Sequence, residues 1–174
     1  MSKTSAKIHS VLNSVFGLTA FRGAQEEIVR HVIDGGSCLV LMPTGGGKSL
    51  CYQLPSLLRE GCGIVVSPLI ALMRDQVAAL EEAGVNAAVL NSTLSFAEAS
   101  EVERRLIAGD LDLLYVAPER LLTPRCLSLL GQSRIALFAI DEATACRNGG
   151  TTFVPNMSAC QRSLSAFPRC RASR

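Results

Sequence analysis

The sequence lacks any apolar run that approaches the roughly 20 residues a membrane-spanning helix requires. It also lacks a C-x-x-C pair, although it contains seven cysteines. Buried or surface thiols therefore explain these cysteines better than a zinc site does. The amino-terminal residues MSKTSAKIHS contain no apolar core of the kind found in signal peptides, so we expect a cytoplasmic protein with no membrane partner.

An excess of one charge is also missing. The formal net charge is only +2, from 17 basic and 15 acidic residues, so a nucleic-acid-binding face would have to arise from clustering. The 174 residues are 48% hydrophobic and 18% charged, which is typical of a globular domain and not of a disordered chain. This length suffices for one domain with a hydrophobic core and no disulfides.

Five short apolar runs alternate with helical patterns as far as residue 143, which predicts a parallel α/β sheet flanked by helices. The predicted strands are SCLVLMP (37–43), GIVVSPL (63–69), NAAVLNS (86–92), LDLLYVAP (111–118) and RIALFAID (134–141). Gly84 and Gly109 stand where two of the intervening helices should end. In such a sheet, functional residues gather at the carboxyl ends of the strands.

A glycine-rich segment, MPTGGGKS (42–49), connects the first predicted strand to a helix, which is the context of a phosphate-binding loop. Its candidate nucleotide-binding residues are Thr44, Gly45, Gly46, Gly47, Lys48 and Ser49. The glycines let backbone N–H groups approach phosphate oxygens closely, Lys48 can reach the β- and γ-phosphates of ATP, and the Ser49 hydroxyl can ligate Mg²⁺. The strict motif has glycine where Met42 stands, and a turn that binds nothing is the alternative.

Two acidic residues, Asp141 and Glu142, follow the last predicted strand. Asp141 can hold Mg²⁺ through its water shell, and Glu142 can orient and deprotonate the attacking water, so with Lys48 they are the candidate catalytic residues. Acidic residues often end strands without any catalytic role. The phosphate loop some ninety residues upstream makes the catalytic interpretation the better one.

Six stretches in order point to one family: FRGAQEEIV (21–29), MPTGGGKSLCYQLP (42–55), VVSPLIALMRDQV (65–77), LNSTLS (90–95), LLYVAPERLL (113–122) and FAIDEA (138–143). Together they resemble the first motor domain of RecQ-type DNA helicases of superfamily 2, over about residues 11–143. The resemblance implies a RecA-like sheet, ATP and Mg²⁺ as ligands, DNA as partner, and ATP-dependent 3′→5′ unwinding in a full-length relative. Zinc is expected only in a carboxyl-terminal part of the family that this chain does not contain.

The resemblance also assigns roles to single residues. Phe21, Arg22 and Gln25 match the adenine-recognition motif, in which the Gln25 amide would both donate to and accept from the base. Without the family, the same residues are equally well explained as a surface turn. Two DNA-side motifs contribute Ser67, Pro68, Arg74, Gln76, Pro118, Glu119 and Arg120. The alternatives are a solvated helix face for Arg74 and a salt-bridged turn for residues 118–120.

The amino-acid composition of the chain changes after Ala143. Residues 144–174 contain five Arg and three Cys but no Asp, Glu or Lys, and they show no helical or strand period. The family continues with His and the aromatic-rich loop H-C-x-S-Q-W-G-H-D-F-R-P-E-Y, whereas this chain has TACRNGGTTFVPNM (144–157). Codons exist for this peptide that, after one C is restored ahead of them and the bases are regrouped, encode HCVSQWGHDFRPEY.

The codons for the last residues of the chain can be regrouped in the same way. RASR (171–174) and a TGA stop codon after it can be regrouped to Arg-Ile-Ala-Leu and the start of a Thr codon, which is how the family enters its next motif. We therefore expect residues 1–143 to be a partial ATP-binding domain and 144–174 to be an out-of-frame tail.

That next motif occupies a central strand of the family's sheet, between the phosphate-loop strand and the Asp-Glu strand. The sheet should therefore be incomplete, and substantial hydrolysis or unwinding by the 174 residues alone is not expected. A retained, non-catalytic ATP- or DNA-binding module and the product of a pseudogene are the two alternatives.

Overall fold

The structure, a computed structural model, describes residues 3–43 and 45–142. The helices and strands of these residues are α1 (Lys3–Ser14), α2 (Gln25–Ile33), α3 (Leu50–Leu58), β1 (Cys62–Val66), α4 (Ile70–Glu82), β2 (Ala87–Leu90), α5 (Phe96–Ala108), β3 (Leu113–Val116), α6 (Pro118–Leu121), α7 (Pro124–Gln132) and β4 (Ile135–Ile140). None of these helices is long and apolar enough to cross a membrane.

The four strands form one parallel sheet in the order β2-β3-β1-β4. In the middle of the sheet, Ile64 of β1 lies between Leu114 of β3 and Phe138 of β4. Four of the five predicted strands are thereby confirmed, as is the α/β class. The helices connect parallel strands and cover the sheet, as such a topology requires.

Both faces of the sheet are buried because successive strand residues point to opposite sides. Ile64 and Leu114 join one core with the apolar sides of α5, α6 and α7. Val65 and Tyr115, their neighbours in sequence, join a second core with α4. The near-continuous apolar runs in the sequence reflect this double burial.

A third apolar cluster lies away from the sheet, among α1, α2 and α3, and contains Ile8, Leu12, Val29, Leu50 and Leu54. Helix α3 therefore packs in two directions, since its Tyr52 and Leu57 contact the core that contains Tyr115. This position matters for the site, because α3 begins directly after the phosphate loop.

Local signals in the sequence set several helix ends. Ser95 and Glu98 form a capping box at the start of α5, and Gly109 ends that helix in the left-handed conformation at φ +80°. Thr123 caps α7 through a hydrogen bond from the N–H of Cys126, and Pro124 occupies its first turn. These ends fix the lengths of the crossovers between strands.

One predicted strand is wrong. Residues 36–43 form no strand, and the side chains of Leu39 and Leu41 are 85% and 86% exposed. A strand is stable only when its backbone groups pair with a neighbour, and no described residue pairs with this segment. The family resemblance places a further strand between this segment and β4, and none of residues 3–43 and 45–142 supplies it.

Candidate functional site

The carboxyl ends of three neighbouring strands meet at one edge of the sheet. The backbone N–H of Asp141, directly after β4, donates to the carbonyl of Val66 in β1 at 2.8 Å. That of Ser67, directly after β1, donates to the carbonyl of Val116 in β3 at 3.2 Å. The predicted Mg²⁺ carboxylate and the first predicted DNA-side residue therefore follow adjacent strands.

The glycines of the phosphate loop hold conformations that other residues rarely adopt. Gly45 and Gly47 have φ angles of +78° and +76°, in the left-handed region. A β-carbon on Gly46 would lie 2.9 Å from the carbonyl oxygen of Pro43, which is too close for an ordinary contact. Each of the three glycines thus has its own structural reason to lack a side chain. Thr44, the remaining loop candidate, lies outside the described residues.

The side chain of Lys48 folds back over the loop. Its ammonium group donates to the carbonyl oxygens of Met42 at 3.2 Å and Pro43 at 3.5 Å. These weak, partly exposed bonds keep the positive charge at the mouth of the loop. Phosphate oxygens would be stronger acceptors for the same group, because they carry a negative charge that attracts the ammonium and the carbonyl oxygens do not.

The side-chain amide of Gln25 forms hydrogen bonds with the backbone of the phosphate loop. Its nitrogen donates to the carbonyl oxygens of Gly46 and Gly47, both at 3.2 Å, and its oxygen accepts from the backbone N–H of Arg22 at 2.8 Å. Gln25 is 3% exposed, so the surface-turn alternative is wrong for this residue, whereas Arg22 is exposed. Phe21 is half-buried, with its ring edge-to-face against His9.

Tyr52 links the phosphate loop to the acidic residues. Its hydroxyl donates to Oδ2 of Asp141 at 2.8 Å, and the side chain of Ser49 lies close enough to oppose the rise in the pKa of that hydroxyl. The two predicted Mg²⁺ ligands, 92 positions apart in the numbering of the chain, therefore share Tyr52 as a neighbour. Burial raises the pKa of Tyr52, so its hydroxyl keeps the proton that it donates.

Asp141 and Glu142 form a tight turn at the end of β4. Asp141 is 9% exposed, and its Oδ1 accepts from the backbone N–H of Glu142 at 2.9 Å. Glu142 has φ +50°, which is unusual for a residue with a side chain. Strained residues of this kind cluster at functional sites, which fits the predicted catalytic role of Glu142.

The donor set at this point fits Mg²⁺. A serine hydroxyl and a carboxylate are hard oxygen ligands, and Mg²⁺ commonly takes one or two protein ligands and completes its octahedron with phosphate oxygens and water. Within the described residues, no group of three or more His, Cys, Asp or Glu side chains could hold a metal ion by itself. Ser49 and Asp141 are the residues that would hold it, together with the nucleotide.

The first set of predicted DNA-side residues divides by exposure. Ser67 is buried, Pro68 is half-buried, and Arg74 is exposed, with its guanidinium donating to the Thr93 hydroxyl at 2.7 Å. Gln76 instead turns towards the interior, where its Oε1 accepts from Gln53 at 2.7 Å. At this edge of the sheet Arg74 is therefore exposed to solvent, while Gln76 is held by its hydrogen bond with Gln53.

A neighbouring amide lacks one partner. Asn91 is 2% exposed, and its Oδ1 accepts from both the N–H and the hydroxyl of Thr93. Its Nδ2 is buried and makes no hydrogen bond within the described part of the chain. Asn91 therefore fixes Thr93 beside Arg74, a role that the sequence analysis did not identify.

The second DNA-side set forms a turn with an ion-pair network. Pro118 is buried and starts α6, and Glu119 is exposed. Arg120 approaches Glu103 of α5 at 3.4 Å, and Arg125 binds the same carboxylate at 2.5 Å. The salt-bridged turn considered as an alternative is thus present, with the Arg120 side chain still 29% exposed.

Comparison with known sequences identifies the family of the chain. A family model described as "DEAD/DEAH box helicase" matches residues 22–173. The chain belongs to this family. It is 43% identical over 159 residues to the ATP-dependent DNA helicase RecQ of Haemophilus influenzae, which covers 91% of this chain and 26% of that protein. It is 46% identical over 151 residues to RecQ of Bacillus subtilis, covering 86% and 26% of the two chains.

Two solved helicase structures share the fold. A hypothetical ATP-dependent RNA helicase from Sulfolobus tokodaii matches with a TM-score of 0.63 at 19% identity, over 93% of this chain and 46% of that one. The DUF1998 helicase MrfA bound to DNA and AMPPNP matches with a TM-score of 0.65 at 23% identity, over 84% and 22%. The chain thus spans about a quarter of the RecQ relatives it matches and is homologous to their motor domain.

Several residues of this candidate site were not identified from the sequence. Tyr52, Gln53 and Tyr115 place polar atoms between α3, β3 and β4, but each stands in an apolar helix or strand. A polar residue amid buried neighbours is itself a signal, since it must find a hydrogen-bond partner. The identity of that partner depends on the packing of α3 on the sheet.

Proposed function

We propose that the described part of the chain is the ATP·Mg²⁺-binding portion of the first motor domain of a RecQ-type 3′→5′ DNA helicase. The nucleotide phosphates bind the loop 43–49, with Lys48 on the terminal phosphates. Ser49 and Asp141 hold Mg²⁺, which would neutralise phosphate charge. Glu142 orients the attacking water in a complete enzyme.

The observation that carries this proposal is the shared contact at Tyr52. Its hydroxyl donates to Asp141, directly after β4, and lies close enough to Ser49, directly after the phosphate-loop lysine, for that side chain to oppose the rise in its pKa. Two hard oxygen ligands from distant parts of the chain thereby converge beside a loop of left-handed glycines. A structural turn that binds nothing would not require such convergence.

Gln25 supports the same assignment through the loop. Its amide nitrogen donates to the carbonyl oxygens of Gly46 and Gly47, so these two glycines are held in place before any phosphate binds. A preformed loop does not have to be ordered on binding, which favours affinity. We propose that Gln25 acts first as this support; recognition of adenine by Phe21, Arg22 and Gln25 is a further part of the proposal.

We propose a single DNA strand as the partner at the carboxyl edge, with Arg74 as the leading contact. Ser67, Pro68 and Gln76 stand in the same segment, and Pro118, Glu119 and Arg120 form the neighbouring turn. Arg74 is exposed and lies beside the Thr93 hydroxyl, so a phosphate could contact both groups. Stable unwinding would require a second motor domain, so the 174 residues alone should bind without unwinding.

Equilibrium titration with a fluorescent ATP analogue in the presence of Mg²⁺ tests the nucleotide assignment. Lys48→Ala should weaken binding at least tenfold, because the charge at the mouth of the loop is lost. Lys7→Ala is the matched control, since Lys7 is exposed on α1 and the substitution removes the same charge. Equal affinities of the two variants would refute the phosphate-loop assignment.

Asp141→Asn tests the metal assignment separately. This variant should raise the Mg²⁺ concentration required for half-maximal nucleotide binding, while binding measured without Mg²⁺ should change little. The amide keeps one oxygen to accept from the N–H of Glu142, which forms the turn, and its nitrogen can donate to the Tyr52 hydroxyl where the carboxylate accepted from it. An unchanged Mg²⁺ requirement would exclude Asp141 from the metal site.

A further inference from the structure

An exposed aromatic side chain stands at the start of α5. Phe96 is the first residue of this helix and is 76% exposed. Of the phenylalanine and tyrosine side chains in residues 3–43 and 45–142, it is the only exposed one. Single apolar side chains are common on protein surfaces, so exposure alone does not indicate a site. The surroundings of the ring decide what it can bind.

One face of the Phe96 ring is covered by a fixed cation. The guanidinium of Arg125 lies over the ring, 5.4 Å from its centre, which is within the range of a cation–π contact. Two donors of the same guanidinium, Nε and Nη2, bind Oε2 of Glu103 at 3.0 and 2.5 Å. Glu103 is 8% exposed, and Arg120 approaches its other oxygen at 3.4 Å. Arg125 is thereby held in place and supports one face of the ring, while the other face is open to solvent.

The supported ring lies at the carboxyl edge of the sheet, beside the proposed DNA contacts. Phe96 comes soon after β2, and Arg125 is in the first turn of α7, which follows β3 and α6. The hydroxyl of Thr93, three residues before Phe96, accepts from Arg74 at 2.7 Å. Three residues of chain span at most about 11 Å, so Phe96 is close to the proposed phosphate position. A strand whose phosphate contacts Arg74 and Thr93 can therefore place a neighbouring base on the open face of Phe96.

The charges around the ring also favour a nucleic acid. Glu98 lies two positions after Phe96 and about 200° around the helix, where its carboxylate caps the start of α5. Glu103, on the same side of α5 as Phe96, is paired with Arg120 and Arg125. One carboxylate and two guanidinium groups give this ion cluster a net charge of +1. A negatively charged strand is therefore a better occupant of this surface than an apolar protein segment.

We propose that the open face of Phe96 is a stacking platform for one base of the single DNA strand, with Arg125 as the residue that positions the ring. This inference rests on the proposed function and adds a base contact to the phosphate contacts assigned there. Every base has a flat π-face, so stacking of this kind does not depend on sequence. A ring that is already supported loses little freedom when the base binds, which favours affinity.

A fluorescence experiment tests the stacking directly. The chain contains no tryptophan, so Phe96→Trp introduces a single indole into the 174-residue chain. Its emission should be quenched by a saturating thymidine oligonucleotide, because a base stacks on the ring. An oligonucleotide of the same length that contains abasic sites keeps the phosphates and should quench little. Ile107→Trp is the matched control, since Ile107 is 55% exposed on the same side of α5, and neither oligonucleotide should quench it.

Affinities measured by fluorescence anisotropy provide a second test. Phe96→Ala should weaken binding of the thymidine oligonucleotide about 5-fold to 100-fold, as expected when a stacking aromatic is removed. Phe96→Leu keeps the apolar bulk but has no π-face, so it should also weaken binding. The salt dependence should stay that of the wild-type chain, because no phosphate contact is removed. Affinity for the abasic oligonucleotide should be the same in the wild-type chain and in both variants, whereas a merely structural role of Phe96 would lower it as well.

Each result has a defined meaning. Failure of the wild-type chain to bind either oligonucleotide would overturn the proposed DNA partner, and the inference with it. Equal affinities of the wild-type chain and Phe96→Ala for the thymidine oligonucleotide would overturn the inference alone. So would equal losses of affinity for the thymidine and abasic oligonucleotides, or emission from Phe96→Trp that bound DNA leaves unchanged.

Discussion

The side-chain nitrogen of Gln25 occupies the space that a β-carbon on Gly47 would need. It lies 2.4 Å from that ideal position and donates to the Gly47 carbonyl at 3.2 Å. The α2 side chain and the loop glycine are therefore complementary, and neither can be changed without affecting the other. This relationship explains why a buried glutamine stands in a helix 22 residues before the glycine it supports.

Gly47→Ala should destabilise the protein more than Gly45→Ala does. Both positions have left-handed φ angles, which cost an alanine about 1–2 kcal/mol, but only Gly47 has a neighbour within 4 Å of its added carbon. The displaced Gln25 would lose bonds worth about 0.5–1.5 kcal/mol each. Urea denaturation measures the difference in the free energy of unfolding.

The same pair provides an internal control. In a Gln25→Ala background the clash is absent, so Gly47→Ala should then cost no more than Gly45→Ala. An equal cost of Gly47→Ala in both backgrounds would contradict the assigned contact. Nucleotide affinity should follow the same order, since the loop loses its support in the variants that displace Gln25.

The ion pairs of Glu103 provide a way to distinguish two roles of Arg120, a structural salt bridge and a DNA contact. Both Arg120 and Arg125 approach the Glu103 carboxylate, which is 11% exposed, but only Arg120 belongs to the predicted DNA-side motif. Arg125→Ala should lower the free energy of unfolding more than Arg120→Ala, because its bond is shorter and its guanidinium also lies 5.4 Å from the Phe96 ring centre.

For DNA binding, the larger effect should come from Arg120→Ala and the smaller one from Arg125→Ala. Arg120→Ala should weaken binding of a thymidine oligonucleotide and lower its salt dependence by about one ion, since one phosphate contact is lost. Arg125→Ala should leave that salt dependence unchanged. If the two variants bind DNA equally well, the salt-bridged turn suffices to explain Arg120. Fluorescence anisotropy across a range of salt concentrations measures both quantities.

Cysteine reactivity should follow burial. Cys38 is exposed, whereas Cys51, Cys62 and Cys126 are buried, and burial raises their pKa values to about 11, about 12 and about 11. The thiolate is the reactive form, so at pH 8 iodoacetamide should label Cys38 first among these four. Mass spectrometry of the digested protein measures each rate separately. Comparable labelling of Cys51 and Cys38 in the native state would contradict the packing of α3, and in urea all four should react alike.

The same shifts predict a loss of stability at alkaline pH. The folded-state pKa values of the three buried thiols exceed the ordinary value of 9.0. The folded state therefore binds more protons above pH 9, so stability is complete below that pH and falls as the pH rises towards about 12. Thermal melts between pH 8 and pH 11 should show a falling midpoint. Replacement of Cys51 by alanine should reduce the slope.

The sequence predicted most of the sheet because parallel strands are apolar on both faces. RIALFAID and LDLLYVAP were recognisable for that reason, and β4 and β3 occupy them. SCLVLMP is similarly apolar but forms no strand, since strand formation also depends on a neighbour that composition does not reveal. Pairing is non-local, and only the assembled sheet shows it.

The candidate site was predictable to the extent that its chemistry is local. The glycines, Lys48 and Ser49 are consecutive, so their pattern in the sequence predicted a phosphate-binding loop. The contribution of Gln53 and Tyr115 is different, because their hydrogen bonds join residues 62 positions apart. Arg120 was predictable only in part. Its motif suggested a DNA contact, but its ion pair with Glu103 depends on the packing of α6 against α5 and could not be predicted from the sequence.

A further prediction concerns the reading frame at Ala143. We propose that residues 144–174 are translated out of frame, because TACRNGGTTFVPNM regroups to the family loop HCVSQWGHDFRPEY when one C is restored. These residues lie outside the part of the chain that the structure describes, so the proposal stands on the sequence alone. Sequencing of the gene should show that base missing and helicase sequence continuing in the other frame. Codons at this position that cannot regroup in this way would refute the proposal.

If the frame is shifted, restoring the base should also restore the sheet. The repaired chain would supply the strand that belongs between residues 37–43 and β4, and Leu39 and Leu41 would become buried. Burial of two leucine side chains contributes about 1.5–3 kcal/mol each. The repaired chain, extended through its next motif, should therefore melt cooperatively at a higher temperature than the 174-residue chain. Circular dichroism measures this, and an unchanged melting midpoint would mean that the missing strand does not limit the stability of the domain.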